Sequence, residues 1–324
     1  MKFVLSLLLA TTPSLPAQEL PPSSCVDASD TMEAAAQTLR SRYVLPDIGS
    51  EAADRIDGRI AKGEYASVCG NPDVIARSLT QAVRFILPDN HLRIAAGPPQ
   101  PTEPPADAPA AALADNLGIA EVARLSGGIG YLRISGWGPI GWVEPRLASA
   151  VALLRDATGI IIDVRGNGGG DGNTMNLLLR SFLPEGAPET QIGFDRDGNR
   201  SDYITPNEPQ WDRFPAALPL VILIDAGSAS ASEALAFSLK EEGRATIVGR
   251  RSAGAAYAVF NAVNLPGGYS LYIPEYRAEG RITGTTWEGT GVVPDIWAGA
   301  GHEKLMAWEH LRSEAKQEFH SALE

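Results

Sequence analysis

The segment Leu218-Pro-Leu-Val-Ile-Leu-Ile-Asp225, which runs straight into Ala226-Gly-Ser-Ala-Ser-Ala-Ser-Glu233, constrains the fold more than any other stretch of the chain. An apolar run of this kind reads as a buried strand. A turn of small residues follows, and residues 231–242 read as a helix. Ser230 therefore stands where a strand hands over to a helix N-terminus. Backbone N–H groups there point outward unpaired, and the helix dipole favours negative charge. A serine nucleophile that builds an oxyanion beside itself needs that setting. Ser228, Ser230 and Ser232 also suit it as plain helix caps, so this segment alone leaves both readings open.

The same alternation recurs around it. Strands are predicted over 129–134, 159–164 and 246–249, and helices over 144–157 and 175–183. Alternating strands and helices mean an α/β fold. A β-ribbon segment is predicted at 268–273. Upstream, apolar spacing near ~3.6 predicts helices over 31–42, 50–62 and 72–85. These make a small helical domain, residues 25–96, followed by a Pro-rich linker over 97–116 and an α/β core over 117–300. The tail, 301–324, carries Leu305, Trp308, Leu311, Ala315 and Phe319 at the spacing of a helix docked on one face.

Charge and the N-terminus set the compartment and exclude partners. A net charge of -12 argues against nucleic acid or an anionic membrane surface. Residues 1–17 open with Met1-Lys2, continue through a short apolar run and end in Pro-Ala17, the pattern of a secretory signal peptide. That run is far short of the ~20 apolar residues of a spanning helix. An exported protein, periplasmic or extracellular, is expected. In that compartment Cys25 and Cys69 are expected to form one disulfide, the other reading being two free buried thiols. Two cysteines give no zinc site, and His302-Glu303 has Met306 where a zinc-binding helix needs its second histidine. No metal and no cofactor are implied.

Three further features carry chemistry. Asp163-Val-Arg-Gly-Asn-Gly-Gly-Gly170 puts a glycine-dense loop after a strand. Its amides can approach a bound oxygen closely, as an oxyanion hole, or simply make a tight turn; a Gly-Lys-Ser/Thr phosphate loop is absent. His91, in Pro88-Asp-Asn-His-Leu92, is the one histidine outside the tail and has the pKa range of a general base. Glu288, between Trp287 and Gly289, has the chemistry to orient an imidazole. An esterase of the α/β-hydrolase type is rejected, because Ser228 and Ser232 stand where its nucleophile elbow needs glycines.

Five blocks occur in order: Gly127-Gly-Ile-Gly-Tyr-Leu-Arg-Ile, Asp163-Val-Arg-Gly-Asn-Gly-Gly-Gly, Ser228-Ala-Ser-Ala-Ser-Glu, Gly249-Arg-Arg-Ser-Ala-Gly and Glu288-Gly-Thr-Gly-Val-Val-Pro-Asp. Together they resemble the C-terminal processing (tail-specific) serine peptidase family. The helical segment ending in Asp-Asn-His-Leu resembles the branch of the interphotoreceptor retinoid-binding and tricorn-like proteins. The resemblance implies a ClpP/crotonase-like core with the site between domains. It implies Ser230 as nucleophile, with the amide of Ala231 and one from Gly168 or Gly169 as oxyanion donors. The lysine base of the processing branch is replaced by Ala255, so the resemblance implies the tricorn-like set, His91, Ser230 and Glu288. Asn90 stands where that branch has a second serine and is expected to orient the ring. The linker occupies the interval where the processing members carry a PDZ module, so no PDZ domain is expected.

These readings make the chain a secreted serine endopeptidase acting on peptides or proteins, with a Ser230–His91–Glu288 triad. The alternative, also implied by the resemblance, is a non-catalytic carrier of apolar ligands.

Overall fold

Two apolar runs meet at the centre of the molecule because each is covered on both sides. The computed structural model describes residues 24–99, 103–201 and 208–321. In chain order the N-terminal part holds β1 (Ser24–Val26), α1 (Ser29–Arg42), α2 (Pro46–Ile60), β2 (Val68–Gly70), α3 (Pro72–Ile86) and β3 (Arg93–Ala96). A short helix, α4 (Ala110–Ala114), leads to β4 (Ile119–Arg124), β5 (Gly130–Ile134), α5 (Ile140–Leu154), β6 (Ile160–Asp163) and α6 (Gly172–Arg180). Then come β7 (Gln191–Phe194), β8 (Arg200–Ser201), β9 (Leu220–Ile224), α7 (Ala231–Glu241) and β10 (Thr246–Gly249). The chain closes with β11 (Ala262–Leu265), β12 (Tyr269–Tyr272), β13 (Arg277–Gly280), β14 (Ile296–Trp297) and α8 (Glu303–Ser321).

The central sheet has six strands in the order β14-β10-β9-β6-β5-β4. Its neighbours are parallel except β4, which runs antiparallel to β5. Strands alternate their side chains between faces. Ile160, Ile162, Leu220, Ile222 and Ile224 therefore join the main core with Leu147, Leu178 and Leu235 of the crossover helices. Ile161, Val221 and Leu223 point the other way and are covered by Ala307 and Leu311 of α8. Burial on both faces explains why these strands read as unbroken apolar runs. The mixed α/β architecture expected from the sequence is the one observed.

The N-terminal helices pack α1 on α2, and β1 pairs antiparallel with β2 in a register that puts Cys25 opposite Cys69. The two cysteines form a disulfide across 44 residues. Asn71 caps α3 by accepting the Val74 N–H at 2.9 Å, with Pro72 at the first helical position. The strand β3 then leaves this unit and joins β12 and β11 as a three-stranded sheet, pairing Ile94 with Leu271. That pairing carries the turn containing His91 to the core.

Several elements differ from the expected ones. The helix α2 starts at Pro46, with Gly49 in its interior. A Cβ at Gly49 would lie 2.6 Å from the Leu39 carbonyl, so glycine is what lets α1 and α2 approach so closely. The helix α5 starts at Ile140 and contains Pro145, whose missing N–H leaves only the exposed turn of Gly141 unbonded. Strands β4, β7, β8, β11, β13 and β14 lack the apolar runs that mark β6 and β9. The segment read as a signal peptide, residues 1–17, lies outside the described residues, as do 100–102 of the linker.

Candidate active site

Ser230 caps α7 with φ 54° and ψ -120°. Such a conformation costs an L-residue roughly 1–3 kcal/mol, and it persists only where neighbours over-determine it. Two neighbours do so. The first is Glu233, three residues along the helix, whose Oε2 accepts the Ser230 N–H at 3.0 Å. This is one half of a capping box. Glu233 is fully buried. Its Oε2 also accepts the Ala255 N–H at 2.8 Å, and its Oε1 accepts the Gly254 N–H and the Ser252 hydroxyl, both at 2.6 Å. Burial raises its pKa, while these four donors pull the other way.

The second neighbour is Gly169, at φ +107°. A Cβ there would stand 2.7 Å from the Ser230 Cβ and 3.2 Å from its Oγ, so only glycine fits. Buried Asn167 locks this loop: its Oδ1 accepts the Gly169 N–H at 2.9 Å, and its Nδ2 donates to the Ile134 carbonyl at 3.1 Å. Its own carbonyl accepts the Ala229 N–H at 3.0 Å, tying the glycine loop to the serine turn. The Gly169 amide is thus engaged. Among the described residues the amides of Gly168 and Ala231 have no hydrogen-bond partner. Trp137 clamps the same loop, since its N–H donates to the Gly169 carbonyl at 3.2 Å and its carbonyl accepts the Asp171 N–H at 2.8 Å.

His91 and Ser230 open on one cavity of about 470 Å³, together with Ala231. The turn bearing His91 is built on buried Asp89, whose Oδ1 accepts the His91 N–H at 2.8 Å and whose Oδ2 accepts the Tyr43 hydroxyl at 2.9 Å. Burial pushes the imidazole below its ordinary pKa. The Asp89 charge opposes that shift, and the Arg84 guanidinium adds to it. The Nδ1 atom is buried and has no hydrogen-bond partner among the described residues. Among the described residues no hydrogen bond joins Asn90 to the ring; its Nδ2 donates to the Ala253 carbonyl at 3.0 Å and so joins the histidine turn to the 252–255 loop.

Glu288 stands behind that loop. Its Oε2 accepts the N–H groups of Ala256 at 2.6 Å and Tyr257 at 3.1 Å. Burial first, then the charge of Asp89, pushes its pKa up to about 7, against the pull of the two amides. Among the described residues no hydrogen bond joins Ser230 to His91 or His91 to Glu288. Ala255, which the resemblance sets at the lysine position, is buried and contributes its amide to Glu233. Sequence reasoning missed Glu233, Asp89, Asn167 and Trp137; only Glu233 left a readable signal, the Ser-x-x-Glu spacing of a capping box.

Residues 128–298 match the model of peptidase family S41. The carboxy-terminal processing protease CtpB of Bacillus subtilis (strain 168) is 32% identical over 151 residues, covering 46% of this chain and 30% of that protein. The carboxyl-terminal-processing protease of Synechocystis is 34% identical over 128 residues, covering 39% and 28%. The chain thus spans about a third of the length of the curated relatives it matches. Among solved structures, an inferred peptidase of Parabacteroides merdae shares the fold, with a TM-score of 0.59, 18% identity, and coverage of 87% of this chain and 93% of that one.

Proposed function

The chain belongs to peptidase family S41, and on that premise we propose that it is an exported serine endopeptidase using Ser230, His91 and Glu288 on peptide or protein substrates. The observation that carries the reading is the strained Ser230, held by Glu233 and Gly169 at the mouth of a cavity it shares with His91. A carrier of apolar ligands has no use for a strained serine that shares a cavity with an imidazole, and that alternative is not favoured. Export is supported by the N-terminal apolar run and by the Cys25–Cys69 disulfide. Among the described residues no helix is long and apolar enough to cross a membrane.

In this mechanism the Ser230 hydroxyl attacks the substrate carbonyl carbon and passes its proton to His91. The charge that develops on the carbonyl oxygen is met by the Ala231 and Gly168 amides, the two without other partners. His91 returns the proton to the leaving amine, and water, deprotonated in turn by His91, releases the acyl group. The imidazolium formed in each half needs an acceptor for its Nδ1–H. Both amides bound by Glu288 go to Oε2, which leaves Oε1 for that role.

The test is labelling of the mature protein with a fluorophosphonate probe, beside Ser230→Ala and His91→Ala. Labelling of the wild type that vanishes in both variants is expected. Folded wild type that does not label sinks the assignment.

A further inference from the structure

Backbone strain is concentrated in two places. Among the described residues three non-glycines have positive φ: Ser230 and the consecutive pair Asn116 and Leu117, at 49° and 55°. Strain of this kind collects at active sites and ligand clamps, where the surroundings force it. At Gly118 the chain is tight as well, since a Cβ there would lie 2.1 Å from the Gly136 carbonyl oxygen. The function proposed above uses Ser230 and leaves the second strained turn unexplained.

That turn borders a second cavity of about 270 Å³, walled by Leu117, Trp137, Trp142, Ala112 and Gly169. One wall is Gly169, the residue whose missing side chain lets Ser230 sit where it does. The next residue, Gly170, lines the main cavity. The two cavities therefore adjoin at consecutive residues of the oxyanion loop, Gly169 and Gly170. The walls are mostly apolar, with Asp115 and Ser135 at the polar part of the lining, and the two tryptophans are preset. Trp137 is held by the loop on its backbone and donates its indole N–H to Ser232 Oγ at 2.9 Å. Trp142 donates its indole N–H to the Pro105 carbonyl of the linker at 3.0 Å. Glycines at 136 and 138 keep the floor clear of side chains.

We propose that this cavity is a second substrate subsite, which takes a large apolar side chain from the opposite side of the scissile bond to the residue held in the main cavity. The inference rests on the peptidase reading. A peptide whose carbonyl is held at the oxyanion loop carries one side chain on either side of the scissile bond, and the two adjoining cavities offer a place for each. The aromatic walls select leucine- to phenylalanine-sized groups over glycine, because an apolar pocket gains with the apolar area it covers.

The experiment maps every bond cut in denatured β-casein by the full mature chain, by Ala112→Trp, which fills the cavity, and by Trp142→Ala, which enlarges it. For the wild type, enrichment of Leu and Phe at two fixed positions flanking the cut is expected. Ala112→Trp removes it at one position, by on the order of tenfold, and keeps it at the other. Trp142→Ala shifts that same position toward larger residues. Uniform change at both positions, or none, overturns the subsite. Fluorophosphonate labelling of Ser230 separates the two claims. A labelled enzyme with enrichment at one position only refutes the subsite alone. Absence of both labelling and cutting refutes the peptidase reading, and the subsite falls with it.

Discussion

Glu233 Oε2 lies 3.0 Å from the backbone N–H of Ser230, so the candidate nucleophile is held in its strained conformation by the helix it caps. The same carboxylate grips Gly254, Ala255 and Ser252. Removing it leaves three buried donors and the part-buried Ser230 N–H without their acceptor. Glu233→Ala is expected to lose about 3 kcal/mol in urea unfolding, since unsatisfied buried groups around a lost charge cost that much. Where the variant still folds, Ser230 labelling slows on the order of 10²-fold, the effect of a displacement near 1 Å. Wild-type stability in Glu233→Ala contradicts the arrangement.

Gly169→Ala addresses the other neighbour. The new Cβ stands 2.7 Å from the Ser230 Cβ, on a backbone at φ +107°. Either the loop or the serine must give way. A loss of roughly 1–3 kcal/mol is expected from the backbone alone, together with a fall in labelling of about 10²-fold or more. Labelling at the wild-type rate rules out the close approach.

How far the sequence revealed this site follows from which atoms build it. The candidates Ser230, His91 and Glu288 stand out in the sequence by residue type and neighbours, and of these Ser230 and His91 line one cavity. The central strands were readable too, because β6 and β9 are buried on both faces and show it as unbroken apolar runs. What stayed hidden is contact made through the backbone. Asn90 was expected at the imidazole, and it donates instead to the Ala253 carbonyl, a partner 163 residues away. Gly168 and Gly169 were equivalent in the sequence, and only the side chain of Asn167 distinguishes them by engaging the Gly169 amide. Long-range pairings of this sort have no local pattern, and the short strands β7 and β13 were missed for the same reason.

The Cys25–Cys69 disulfide joins β1 to β2 and closes a separation of 44 residues. It ties the start of the described chain to β2, the strand that precedes α3, the helix leading to His91. Cys25→Ser with Cys69→Ser is expected to lower unfolding free energy by about 2–4 kcal/mol. Matched urea midpoints for oxidised and reduced wild type would show that the bridge carries no stability.

Glu288 gives the molecule a pH dependence whose sign is fixed by its environment. Its folded pKa, about 7, lies above the ordinary 4.5. The folded state therefore holds this proton more tightly than the unfolded chain does. Stability from this group is full below about pH 4.5, declines as pH rises and levels off above about 7. Urea midpoints between pH 5 and 8 should fall more steeply in the wild type than in Glu288→Gln; parallel lines contradict a raised pKa. Activity should run the opposite way. His91 is pushed below its ordinary pKa by burial, so it is already an unprotonated base at neutral pH. The charged form of Glu288 is the one that supports an imidazolium, and it becomes the major form as pH rises through about 7. The acid limb of kcat/KM therefore belongs to Glu288 rather than to the histidine. Glu288→Gln should lower activity and flatten that limb. A limb that stays near pH 7 in Glu288→Gln would return the titration to His91, and the site would then work with the carboxylate in a structural role only.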